Sequence, residues 1–174
     1  MPLGPRPVLQ AHRAARVLVV GQAPGTKVHA TGIPFNDPSG VRLRDWMGID
    51  RERFYDERSI ALLPMGFCYP GRGASGDLPP PPRCAELWRA RLLAELPDIA
   101  LTLVVGQYAI RWHLPNEAGS LTDVVRRWRN FAPGLIPAPH PSPRNNLWLR
   151  RNPWFDAEVV PAMREAVAAA LLRS

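Results

Sequence analysis

Two short apolar runs ending in glycine, residues 16–21 (RVLVVG) and 101–106 (LTLVVG), constrain this chain more than any other feature. Each is too short for a buried helix and lacks the alternation of a half-exposed strand, so each reads as a strand covered on both faces. Strands of that kind belong to parallel sheets, whose neighbours must be joined by crossovers. Residues 60–64 (IALLP) and 135–137 supply two further strands. Helical stretches alternate with them at 38–47, at 83–96 with Leu87, Leu92 and Leu96 near helical spacing, and at 107–114. A tail helix follows, with Asn152 and Pro153 as its N-cap and first position and Pro161 kinking or restarting it. The alternation predicts an α/β fold: a three-layer αβα sandwich around a central four-stranded, mainly parallel sheet.

At 174 residues the chain fits one domain that needs no disulfide or metal for stability, taken as 16–174 after a flexible segment at 1–15. The two cysteines, Cys68 and Cys84, are too few for a disulfide framework, and no apolar leader or membrane-length run is seen. These points predict a reduced, cytoplasmic setting, such as bacterial cytoplasm and nucleoid, and a monomer without a membrane partner. The net charge of +7 is nearly all arginine, since Lys27 is the one lysine. Arginine grips phosphate bidentately and stacks on bases, which points toward nucleic acid; a GC-rich genome also favours arginine. Two segments break the helix and strand pattern. Residues 71–82 (GRGASGDLPPPP) read as an exposed loop ending in polyproline, and 133–143 holds five prolines around His140 and Ser142.

Chemistry concentrates at two strand exits. GQAPG, at 21–25, offers a tight turn whose Gln22 and Ala23 amides suit a carbonyl or an anion, although a purely structural turn fits it as well. TGIPF, at 31–35, adds the ring of Phe35. HPSPRNN, at 140–146, frames His140 with Pro139 and Pro141, and Ser142, Arg144 and Asn145 follow as phosphate donors with Leu147 and Trp148 as apolar neighbours.

GQAPG, TGIPF and HPSPRN together resemble the uracil-DNA glycosylase superfamily, in the family's order and over roughly residues 16–172. The first two are similar to the GEAPG and TGRPF of its iron-sulfur branch, and HPSPRN to its single-strand-selective branch. The resemblance implies a DNA repair enzyme that flips uracil out of DNA and hydrolyses its N-glycosidic bond to leave an abasic site. On that comparison Phe35 stacks on the base and Gln22, Ala23 and His140 meet uracil O2. Ser142 and the prolines at 79–82, including Pro80 and Pro81, pinch the DNA backbone; Arg144 and Leu147 fill the gap left by the base.

Three departures stand beside the match. The acid that handles water in the main branch is replaced by Ala23, and that of the iron-sulfur branch by Gln22, which leaves the step open between Gln22 and Asp37. Asp37 is equally placed to cap the helix at Pro38, and His29 reads as a solvated loop residue. The asparagine that pairs with the uracil edge is absent, so recognition is left to groups near Pro64, Met65 and Gly66, or to Tyr69, Asn145 or Asn146. Cys68 and Cys84 keep the separation of two cluster ligands without the other two, so no iron-sulfur cluster, metal or other cofactor is expected. A monofunctional glycosylase is the leading reading, since neither motif holds a lysine for a lyase step. The alternatives are a weakly catalytic relative that binds lesions or abasic sites, a glycosylase for hypoxanthine or xanthine, and an unrelated α/β phosphate- or nucleotide-binding enzyme.

Overall fold

The computed structural model describes residues 3–172. Four strands form one sheet: β1 (Val17–Val20), β2 (Ile60–Leu62), β5 (Leu101–Val105) and β6 (Leu135–Ala138), in the order β2-β1-β5-β6. All three pairings are parallel, with Val17 opposite Ile60 and Leu101, and Leu103 opposite Ile136. Every residue of β1 is at most 2% exposed. That demands cover on both faces, which explains why the sequence of β1 shows no alternation.

Between β1 and β2 run α1 (Thr26–Thr31), α2 (Pro38–Met47) and α3 (Arg51–Tyr55). A two-residue hairpin, β3 (Arg72–Gly73) with β4 (Gly76–Asp77), precedes α4 (Pro82–Ala94). The helices α5 (Gln107–His113) and α6 (Leu121–Arg126) follow, then α7 (Asn146–Arg151) and α8 (Val160–Leu172) after β6. On one side of the sheet, α8 packs on β1, β5 and α2. Ahead of β1, Val8 donates its N–H to Phe67 O and Gln10 bridges Leu62, so this segment lies along β2.

Three details differ from the sequence expectations, and a fourth bears out the expected restart at Pro161. Residues 71–82 are not an open loop: the hairpin folds within them, and Gly71, Gly76 and Pro80 are buried. Pro80 seats on Gly66, where a Cβ would lie 3.1 Å from the proline ring. On α4 the apolar spacing misleads, because Leu87 is 53% exposed and Arg89 faces inward. Asn152 does not cap the tail helix; its side chain donates to Trp148 O and accepts from the Trp154 indole. A π-helical turn, Phe155–Val159, leads into α8 just ahead of Pro161, whose missing N–H breaks the regular ladder.

Candidate active site

The strand order reverses direction between β1 and β5, and in open parallel sheets a crevice forms there at the carboxyl ends of the strands. A cleft of about 600 Å³ lies at that edge, reached by Gln22 after β1, Pro64 after β2, Gln107 after β5 and His140 after β6.

Phe35 occupies a seat made for it. Its φ of 55° is a strained, left-handed value for an aromatic residue. Two glycines allow it. A Cβ on Gly21 would lie 2.9 Å from Phe35 Cζ, and one on Gly40 would collide with the Phe35 carbonyl oxygen. Tyr55 Oη donates to Pro34 O at 2.8 Å, and the Phe54 ring meets Phe35 edge-on at 6.1 Å. The ring is thereby pinned at the cleft wall, which lowers the entropy cost of stacking a planar ligand on it.

His140 is fixed as firmly. Ser142 N–H donates to its Nδ1 at 3.2 Å, so Nδ1 is an acceptor and the proton of the neutral ring sits on Nε2. Burial pushes its pKa below the ordinary histidine value, against a smaller opposing pull from the Asp37 carboxylate. A neutral Nε2–H donor results. Asn145 Nδ2 holds the His140 carbonyl at 2.7 Å. From α2, Arg42 binds the carbonyls of Pro141 and Ser142 and the Asn146 Oδ1, clamping the whole loop.

Opposite, GQAPG is held by its carbonyls: Met65 N–H donates to Gly21 O and Gly66 N–H to Gln22 O, both at 2.9 Å. Among the described residues neither the Gln22 nor the Ala23 N–H has an internal acceptor, and both residues line the cleft. Two amide donors and an imidazole donor therefore border a space walled by an aromatic ring, a set suited to a flat base that gathers negative charge on an oxygen.

The uracil DNA glycosylase superfamily model matches residues 9–164. The chain belongs to that superfamily. Membership implies DNA glycosylase-like function on a DNA substrate and leaves the base undetermined.

Within this superfamily member the expected site residues fall into two groups. Gln22, Ala23, Phe35, Asp37, His140, Ser142, Arg144 and Asn145 all border the one cleft. Asp37 caps α2, its Oδ1 accepting the Gly40 N–H at 3.0 Å, and faces the cleft as well. Ser142 Oγ accepts the Arg144 N–H, and the Arg144 side chain reaches Ser75 O on the hairpin turn. The others lie outside the cleft. Leu147 is 49% exposed on α7, and Met65 is 5% exposed in the core with its N–H taken up by Gly21. Gly66 backs Pro80 and Pro81. Of the proposed edge readers, Asn146 is held by Arg42, and Tyr69 bonds Thr26 and Asp77. His29 is not solvated as expected: its Nδ1 is buried, and its ring lies 5.7 Å from Tyr69.

The structure adds residues that sequence reasoning missed. Asp77 borders the cleft with its carboxylate held by the Tyr69 hydroxyl at 3.3 Å. Gln107 and Thr122 also line the cleft, Thr122 Oγ1 accepting the Trp148 indole N–H. No local signal marks these positions or Arg42. Cys68 is buried and Cys84 half-buried, its Sγ accepting the Phe67 N–H at 3.4 Å. Among the described residues no group of three or more His, Cys, Asp or Glu side chains is placed to hold a metal ion, and no helix is long and apolar enough to cross a membrane.

Proposed function

We propose that this protein is a uracil-DNA glycosylase that flips uracil from DNA and hydrolyses its N-glycosidic bond. The observation that carries the reading is the tautomer of His140: with Nδ1 occupied by Ser142 N–H, the proton of the neutral ring sits on Nε2, a donor on a residue that borders the same cleft as Gln22, Ala23 and Phe35.

Phe35 stacks on the extruded base while the Gln22 and Ala23 amides and His140 donate to O2. As the C1′–N1 bond breaks, its electron pair passes to the base, and donors already in place at O2 favour the charged transition state over the neutral ground state. Water then adds to C1′ and gives up a proton, with Asp37 or the Gln22 side chain orienting it; the base takes its proton from solvent. The Asp37 carboxylate also offsets positive charge on the sugar. Lys27, on α1, does not border the cleft, which supports simple hydrolysis over a Schiff-base lyase step. Ser142, Arg144 and Asn145 hold phosphates, with Pro81 bracing the strand from a loop that the buried Pro80 anchors, and Leu147 entering the duplex; these contacts give affinity rather than base choice.

Labelled duplex and single-stranded oligonucleotides carrying uracil, hypoxanthine or xanthine test this. Alkali cleavage after incubation is expected to reveal abasic sites at uracil above the other two bases. Tight binding in a gel shift with no cleavage of any substrate would replace the enzyme reading with a lesion-binding one.

A further inference from the structure

One buried ionisable group has no part in this chemistry. Arg89, on α4, is 1% exposed, and among the described residues no carboxylate lies within ion-pair reach of it. Its donors meet neutral acceptors: Nη1 to Pro64 O at 3.1 Å, Nη2 to Leu63 O at 3.0 Å and Nε to His113 Nε2 at 3.1 Å. Burial lowers its pKa to about 10, so it is still cationic at neutral pH. A lone cation is costly to bury, and an apolar side chain of similar volume would fill the space without that cost. The placement of the charge is what distinguishes it.

The peptide groups in contact with Arg89 lead to the cleft. The Pro64 carbonyl belongs to the peptide whose N–H is that of Met65, and this N–H donates to Gly21 O at 2.9 Å. The Gly21 carbonyl in turn belongs to the peptide whose N–H is that of Gln22, which borders the cleft without an internal acceptor. A carbonyl that accepts a hydrogen bond makes the N–H of the same peptide a stronger donor, and aligned bonds reinforce one another in a low-dielectric setting. Two peptide groups thus connect a buried cation to an amide at the proposed base site.

We infer that Arg89 is a positioning residue that polarises the Gln22 N–H, through the Pro64 and Gly21 peptides, toward the negative charge forming on the departing base. The inference rests on the glycosylase reading above. Arg89 never touches substrate; it acts through the amide, and its effect grows with the charge that the base acquires in the transition state.

Single-turnover release of uracil and of 5-fluorouracil from the same duplex tests it, because fluorine stabilises the departing anion and lessens the need for the amide. In R89Q, which loses the charge but keeps a donor, release of uracil is expected to fall about tenfold and release of 5-fluorouracil clearly less. R89K, which keeps a cation, is expected to recover most of the uracil rate. Variants are read only if they melt cooperatively. Equal losses on both bases in any folded variant, or an R89K no better than R89Q, would overturn the proposal in favour of a merely structural role. If the wild-type protein releases neither base, the glycosylase reading fails instead, and the relay is decided in 15N-labelled protein. There the Gln22 amide proton moves upfield in R89Q and stays near its wild-type position in R89K; an unmoved proton in R89Q overturns the relay.

Discussion

His140 carries the strongest residue-level expectation. Its ring is oriented by one backbone N–H and kept neutral by burial, so its loss removes a preorganised donor with little disturbance to the core. His140→Ala is expected to lower single-turnover base release by about 10²- to 10³-fold while leaving DNA affinity within a few-fold, because phosphate contacts come from other residues. Rapid-quench kinetics beside a binding titration checks this, and near-normal release would remove His140 from the mechanism. His140 is legible in the sequence because its neighbours restrain it locally. Arg42 is not: it clamps the same loop from a hundred positions earlier, and only the packing of α2 beside that loop makes the contact. Asp77 stays hidden for a related reason, since a Gly-rich run gives no sign that its hairpin turns a carboxylate into the cleft.

At the level of elements, the N-terminus of α2 joins structure to chemistry in one side chain. Asp37 Oδ1 accepts the Gly40 N–H, and its charge acts on His140 at the same cleft. Asparagine caps a helix about as well as aspartate but carries no charge, so the two roles separate cleanly. Asp37→Asn is expected to melt within a degree or two of wild type yet release base at least about tenfold more slowly, whereas Asp37→Ala also loses roughly 1 kcal/mol of stability. Thermal melts with single-turnover assays distinguish the cases; full activity in Asp37→Asn leaves Asp37 as a cap and passes the water to Gln22. The strands, α2 and α5 are legible because burial and capping leave short-range marks. The hairpin is not, since two-residue strands carry no periodicity. On α4, Leu87 faces solvent and Arg89 the interior because two carbonyls and an imidazole inside the molecule satisfy the guanidinium.

Across the whole molecule, two largely covered histidines tie stability to acidity. The pKa of His113 is lowered to about 4, first by burial and then by the adjacent Arg89, and that of His140 is lowered by burial. In the unfolded chain both titrate near 6.5. Between those limits the unfolded state holds more protons, so stability is complete above about pH 6.5 and is lost as pH falls toward 4. His113 accounts for at most on the order of 3 kcal/mol of that loss. Urea midpoints measured from about pH 7 down to about pH 4.5 are expected to drop steadily, and His113→Asn to flatten the slope; an unchanged midpoint would mean that water reaches the imidazole. The parallel sheet and its crevice are legible from two glycine-ended runs, but which side chains meet in the crevice depends on crossovers that the sequence does not mark.

The seat of Phe35 bears on how the base pocket can change over time or by design. Gly21 and Gly40 have no side chains because the ring and its carbonyl occupy that space, and the ring holds its unusual backbone angle because both glycines are there. Neither glycine can be exchanged alone without collision, so a search through single substitutions meets a barrier at both positions. A new base preference is reached more readily at Gln107 or Thr122, whose side chains border the same space without meeting the Phe35 seat.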